Sequence, residues 1–296
     1  MPELPEVETV VRDLKPRLAG RQITSIRVGQ QPLRRRWQSA WNARLIGRRI
    51  TGLGRRGKWI VMTLDDNQSL VWHLGMTGQL VLADSRVPPL PHTHVLVDFD
   101  VPGEQLRFRD VRRFGSVSLF TQQECEQFFV ASGLGPEPFT LSAELLYRKL
   151  QATRRCLKAV LLDQRVVAGL GNIYADEALF EAKLHPQLSG QKITLAEAHS
   201  LKRAIVTVLR RAIEKRGSSI RDYLGGMGER GNYQREFRVY GQAGKPCSRC
   251  RFAIARIRLA GRSTYFCPSC QKKGRRRASG RSLERRQQVP ERTGPS

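Results

Sequence analysis

Pro2, Glu3 and Glu6 are the residues of this chain whose types and spacing most directly permit covalent chemistry. A methionine followed by a residue as small as proline is a start that methionine aminopeptidases trim. Trimming leaves Pro2 with a free secondary amine. An α-amino group titrates near ~8 and a lysine near ~10.4, so at pH 7 the terminus holds roughly 200-fold more of the neutral, nucleophilic form. A secondary amine attacking an aldehydic carbon gives an iminium, and carboxylic acids beside it can move the protons that the step requires.

A second chemistry sits near the other end. Cys247-Ser248-Arg249-Cys250 and Cys267-Pro268-Ser269-Cys270 are two C-x2-C knuckles separated by 16 residues, while Cys125 and Cys156 stand alone. Four thiolates at that spacing suit one tetrahedral, closed, structural Zn²⁺. Three further stretches stand out: Arg55-Arg56-Gly57-Lys58 is basic and precedes a strand, His73-Leu74-Gly75-Met76-Thr77-Gly78 puts a Met at a glycine-flanked turn, and Asp110-Val111-Arg112-Arg113-Phe114-Gly115 puts Arg and Phe on a second turn. Taken singly they read as charge clusters or strand ends. Together, Met76, Arg112 and Phe114 on neighbouring tips are what a protein uses to fill the gap left by an extruded base.

The elements that must hold these residues follow from periodicity. Val7, Val10, Val11, Leu14 and Leu18 predict a helix over residues 5–18, with Pro5 in its first position and Pro16 kinking or ending it. Seven short Val/Ile/Leu-rich runs, over 22–28, 58–64, 69–74, 79–83, 95–99, 105–109 and 116–120, predict an antiparallel sandwich or barrel. The domain reading is a catalytic β-sandwich over 1–124, a linker over 125–141 and a helical unit over 142–235. A zinc finger follows over 236–271, then a disordered basic tail over 272–296. Within the helical unit, Gly169–Asn172 forms a turn that feeds a helix, with Asn172 at its start where backbone amides can bind phosphate. A long helix from Thr194 carries a basic face, and 217–235 reads as a mobile loop. Gly261-Arg262-Ser263 reads as the tip of the hairpin between the knuckles, presenting Arg262.

Charge decides the partner class. The net charge is +26 and the pI about 11, so the surface attracts a polyanion, most directly nucleic acid. The tail holds nine basic and two acidic residues, a local +7 that still leaves +19 elsewhere. No run of 18 apolar residues and no signal-peptide layout is present, so a cytosolic protein is expected.

The N-terminal octet, Arg55–Lys58, His73–Gly78, Arg112–Gly115, Gly169–Glu177 and the four-cysteine hairpin together closely resemble bacterial formamidopyrimidine-DNA glycosylases over residues 1–271. The resemblance implies an α+β architecture: an N-terminal β-sandwich with a leading helix, a helix–two-turn–helix domain and a zinc-finger hairpin, acting as a monomer on double-stranded DNA. It implies that Pro2 is the nucleophile on C1′, that Glu3 aids sugar opening, and that Glu6 supports the site. Lys58, Asn172 and Arg262 would hold flanking phosphates, Lys58 and Arg262 as part of the catalytic group, and His73 would also face DNA. Met76, Arg112 and Phe114 would fill the vacated space, with Arg112 facing the orphaned cytosine. The reaction implied is excision of oxidised purines followed by β,δ-elimination. Endonuclease VIII-like excision of oxidised pyrimidines and a non-catalytic zinc-finger protein are the competing readings; Leu4 and the long 217–235 loop count against the former. Val111 stands where Pro is more often found and Ala260 where Gln is common.

Overall fold

The computed structural model describes residues 1–219 and 223–273. Helix α1 (Leu4–Leu18) leads, with Pro5 in its second position and a reciprocal cap in which Glu3 and Glu6 each accept the other's backbone N–H. Pro16 lies inside this helix rather than ending it. Only the last turn follows it, so one backbone hydrogen bond is lost while buried Leu14 and Leu18 keep the turn docked.

Eight strands follow: β1 (Ile23–Val28), β2 (Ile50–Arg56), β3 (Trp59–Leu64), β4 (Gln68–His73), β5 (Gln79–Asp84), β6 (Thr93–Phe99), β7 (Glu104–Arg109) and β8 (Ser116–Thr121). They form two antiparallel sheets, ordered β1-β6-β7-β5 and β2-β3-β4-β8. Alternation puts Val95, Val97 and Phe99 of β6 inward, against Leu106 and Phe108 of β7. Trp72 of β4 meets Phe108 edge to face at 5.5 Å, joining the sheets across one core. Strand β2 and a short helix α2 (Ala40–Leu45) were not expected from the sequence. The run Gly52-Leu53-Gly54-Arg55-Arg56 is poor in strand formers, and pairing with β3 overrides its weak propensity.

The stretch expected as a linker is partly helical. Helix α3 (Gln122–Ala131) is fixed by a capping box between Thr121 and Glu124, which leaves residues 132–142 as the connection. Helices α4 (Ala143–Gln151), α5 (Leu157–Leu162), α6 (Asn172–Glu181) and α7 (Leu195–Glu214) build a second core. Every residue of α6 from Ile173 to Phe180 is buried, so it is the axis of that unit. The zinc-finger hairpin is β9 (Ala255–Leu259) paired with β10 (Arg262–Phe266). Its turn is Ala260-Gly261, both left-handed at φ 46° and 71°, so Arg262 opens β10 instead of sitting at the tip.

Two features bind the halves together. Leu4 packs into the helical core, while Val7, Val10, Val11, Leu14 and Leu18 of the same helix pack into the sandwich core. Glu137 accepts hydrogen bonds from Arg55 (2.6 Å), Arg56 (2.9 Å) and the Gly57 amide (2.6 Å), fastening the β2–β3 turn to the interdomain connection. The 217–235 segment is anchored on both sides of the residues that lie outside the described set. Before them the Ser218 amide donates to the Glu6 carboxylate at 2.7 Å; after them Tyr223 is buried in the sandwich core, and the Leu82 amide donates to the Gly226 carbonyl at 2.8 Å. The tail beyond residue 273 also lies outside the described residues. Among the described residues, no helix is long and apolar enough to cross a membrane.

Candidate active site

The start of α1, the start of α6 and the β2–β3 turn converge. Glu3 is 3 % exposed, and its carboxylate accepts hydrogen bonds from the amides of Ile173 (2.9 Å) and Tyr174 (3.4 Å) at the α6 N-terminus. The helix can approach this closely because residue 171 is glycine: a Cβ there would lie 2.3 Å from Glu3 Cδ. Burial pushes the Glu3 carboxyl above its ordinary range, and the Lys58 cation opposes that rise without cancelling it. Lys58 is buried too, and desolvation lowers its ammonium while Glu3 and Glu6 pull it back. A buried carboxyl that holds its proton more firmly than an ordinary glutamate thus interacts with a buried amine, and the carboxyl belongs to the residue that follows Pro2.

Glu6 is the hub beneath them. It accepts from the Glu3 amide (2.9 Å), the Ser218 amide (2.7 Å), the Ser218 hydroxyl (3.0 Å) and the Tyr174 hydroxyl. Its backbone carbonyl takes the Tyr223 hydroxyl at 3.1 Å. Pro2 and Glu6 open onto a cavity of about 330 Å³ whose far wall includes Met76, Arg112 and Tyr240. Met1 also lines it, so the Pro2 nitrogen becomes a free amine only once Met1 is removed. A larger cleft of about 580 Å³ lies behind the cysteine hairpin, between Lys183 and Lys273, and includes none of these groups.

The residues expected to intrude sit exposed on two neighbouring turns. Met76 and Phe114 are 40 % and 45 % exposed, and the Arg112 guanidinium lies 4.7 Å over the Phe114 ring. Phe114 is not on the cavity wall; it backs Arg112 instead. His73 packs against Trp59 with ring centres 4.5 Å apart and planes tilted at 51°, and desolvation lowers it to about 4, so it is neutral at pH 7. Its Nδ1 accepts the Gly75 amide at 3.1 Å, which leaves the proton on Nε2. Lys58 is near enough to His73 and Arg262 for their charges to act on one another. Asn172 donates from Nδ2 to the Ser263 carbonyl at 3.1 Å, tying the α6 start to β10.

Several participants were not singled out from the sequence: Tyr174, Ser218, Tyr223, Tyr240, Lys158 and Asp176. Lys158 is fully buried and donates at 2.7 Å both to the Asn172 carbonyl and to Asp176, whose other oxygen takes the Tyr265 amide at 3.0 Å. The available signal was one lysine inside the otherwise apolar Leu157–Leu162.

Cys247, Cys250, Cys267 and Cys270 place their sulfurs within 4.8 Å of one another, with Cys250–Cys267 at 3.5 Å and Cys247–Cys270 at 4.0 Å. A tetrahedron of thiolates ~2.3 Å from a metal has edges of roughly 3.8 Å, so the four residues fit zinc.

Comparison with known proteins agrees with this geometry. Residues 1–117 match the formamidopyrimidine-DNA glycosylase N-terminal domain, 134–223 the H2TH domain of the same proteins, and 244–273 a zinc finger found in FPG and IleRS. A formamidopyrimidine-DNA glycosylase of Desulforamulus reducens is 45 % identical over 276 residues, covering 92 % of this chain and 99 % of that protein. One from Lactococcus lactis is 40 % identical over 275 residues, covering 92 % and 100 %. A crystal structure of the Lactococcus lactis Fpg with DNA containing an abasic site superposes with a TM-score of 0.85 at 38 % identity, covering 92 % of this chain and all of that one. A complex of its G226P mutant with Fapy-dG DNA gives 0.86 at 39 %, with the same coverage.

Proposed function

The chain belongs to the formamidopyrimidine-DNA glycosylase family, and from that premise we propose that it excises oxidised purines, 8-oxoguanine and formamidopyrimidines, from duplex DNA and then cuts the strand. The observation that carries this reading is the shared cavity, which Pro2, Glu6, Met76 and Arg112 all line. The nucleophile and two of the intruding residues thus border one volume fit for an everted nucleotide.

Each residue then has a task. Pro2 nitrogen bonds to C1′ as the glycosidic pair departs with the base, and the proton shed by that nitrogen neutralises the departing base. Glu3 gives its proton to O4′ as the sugar ring opens, leaving an iminium on Pro2. Loss of a C2′ proton expels the 3′ phosphate and loss of a C4′ proton expels the 5′ phosphate, which is β,δ-elimination. Glu6 keeps the α1 start pressed on Ser218 and Tyr174. Lys58, Asn172 and Arg262 hold flanking phosphates, and neutral His73 adds an Nε2–H hydrogen bond that carries no net charge. Met76, Arg112 and Phe114 occupy the vacated stack, Arg112 toward the orphaned cytosine. The bound zinc is structural: it fixes the β9–β10 hairpin and so the position of Arg262. Action on the bacterial chromosome in the cytoplasm belongs to the same reading.

Borohydride trapping tests it. A duplex with 8-oxoguanine opposite cytosine should yield a covalent complex mapped to Pro2, and a matched duplex bearing an oxidised pyrimidine should yield much less. Trapping confined to the pyrimidine duplex, or mapped to a lysine, overturns the assignment. The metal has its own test. Cys267→Ser should release zinc and lower DNA affinity by roughly tenfold or more, because the hairpin loses its folding energy. Measured zinc content with unchanged binding in a metal-free variant contradicts that role.

A further inference from the structure

We propose that Thr77 is a positioning residue that locks the Met76 turn and the Arg112–Phe114 turn into one rigid wedge, and so sets how the space opposite the lesion is held. The inference rests on the function proposed above. It concerns a residue given no task in that function, although it borders the same cavity.

The two turns run between the same two sheets, β4 to β5 and β7 to β8, and are more than thirty residues apart in sequence. Strand pairing sets their bases side by side, His73 opposite Ser116 and Gln79 opposite Arg109, but the ladders end there and do not reach the tips. Filling a base-sized void needs all three side chains to enter together. Between the tips the side-chain bridge is a single hydroxyl. Thr77 Oγ1 donates to Asp110 Oδ1 and accepts the Arg112 amide at 3.1 Å. The same amide reaches Asp110 Oδ1 at 3.3 Å, and Asp110 Oδ2 takes the Gly115 amide at 2.6 Å.

Asp110 is itself immobile. It is fully buried, its amide donates to the His92 carbonyl at 3.0 Å, and its own carbonyl accepts the Arg113 amide at 3.2 Å and contacts His94 Nε2 at 2.9 Å. It is therefore a fixed post to which both turns are tied, one directly and one through Thr77. A second observation supports a fused wedge. Gly75 is left-handed at φ 61°, and a Cβ there would lie 2.5 Å from both the Gly115 nitrogen and the Phe114 carbonyl carbon. The turns thus touch backbone to backbone, so a change in one is transmitted to the other. Removing the hydroxyl takes away one donor and one acceptor at a buried carboxylate, which frees the Met76 turn without touching Pro2 or Glu3.

The test compares Thr77→Val, which keeps shape and loses the hydroxyl, with Thr77→Ser, which keeps the hydroxyl. Single-turnover rates are read on three substrates: 8-oxoguanine opposite cytosine, 8-oxoguanine opposite adenine, and an abasic site in single-stranded DNA, where no orphaned base has to be held. Thr77→Val should slow excision opposite cytosine by roughly tenfold or more, the scale of a lost buried hydrogen bond, and compress the cytosine-over-adenine ratio. It should leave single-strand cleavage within about twofold, and Thr77→Ser should restore duplex excision. Equal rates for Thr77→Val and the unaltered protein on all three substrates overturn the proposal, as does a uniform loss that includes the single strand. Failure of the unaltered protein on every substrate refutes the proposed function itself, a different result.

Discussion

Glu3→Gln lowers the rate of 8-oxoguanine excision by roughly 10²- to 10⁴-fold, the range that a positioned general acid contributes, while strand cleavage at a preformed abasic site persists. The asymmetry follows from where the proton is needed. Opening an intact nucleoside sugar requires a donor at O4′, whereas an abasic sugar already exists in part as the open aldehyde. Glutamine suits the test because its amide oxygen can still accept the Ile173 amide, so the α1–α6 junction stays intact. The pH dependence has a definite sign. Burial raises the Glu3 pKa, so the reactive, protonated form survives to higher pH than an ordinary glutamate allows. Excision by the unaltered protein therefore falls as pH rises through that elevated value, and the Gln variant lacks this limb. Single-turnover rates across pH on intact and abasic duplexes decide the matter; a matched loss on both substrates removes Glu3 from the base-release step.

Gly171→Ala produces a loss of similar size from outside the reacting groups. The added Cβ would sit 2.3 Å from Glu3 Cδ and 2.6 Å from Oε1, distances that no side-chain carbon tolerates. Glu3 cannot step aside easily, since two α6 amides hold its oxygens and the neighbouring Leu4 is wedged against Gly169. Overpacking of this kind costs about 1–3 kcal/mol, a Tm drop of several degrees, and misplaces the acid enough to reduce excision at least ~100-fold. Adding Glu3→Ala to Gly171→Ala removes the clash. Tm should then recover while excision does not. A Gly171→Ala protein with full activity and unchanged Tm would show that the junction is looser than its distances imply.

Much of this site was legible in the sequence because its chemistry is local. Pro2, Glu3 and Glu6 lie within one helical turn, the cysteine knuckles carry their own spacing, and the α1 face repeats at helical period. The parts that were not legible depend on contacts distant in sequence. Ser218 and Tyr223 reach Glu6 from more than two hundred residues away. Helix α6 was legible from the turn that feeds it, but not its burial on every side or the Asp176 and Glu177 contacts inside it. Strand β2 hides behind Gly52 and Gly54, and α3 behind neighbouring Gly133, Gly135 and Pro136, which drew the linker too far back. Thr77 looks like any turn threonine until Asp110 is seen opposite it.

The way α1 is shared has a further consequence, for cooperativity. One short helix gives Leu4 to the helical core and five other apolar residues to the sandwich core, and Glu137 fastens the same seam from the other side. Melting either core should strip the helix from the other, so one calorimetric transition is expected for the two units together. The amine and its acid are held at the point where the two folding units meet. On that expectation the chemistry and the fold are lost in a single step.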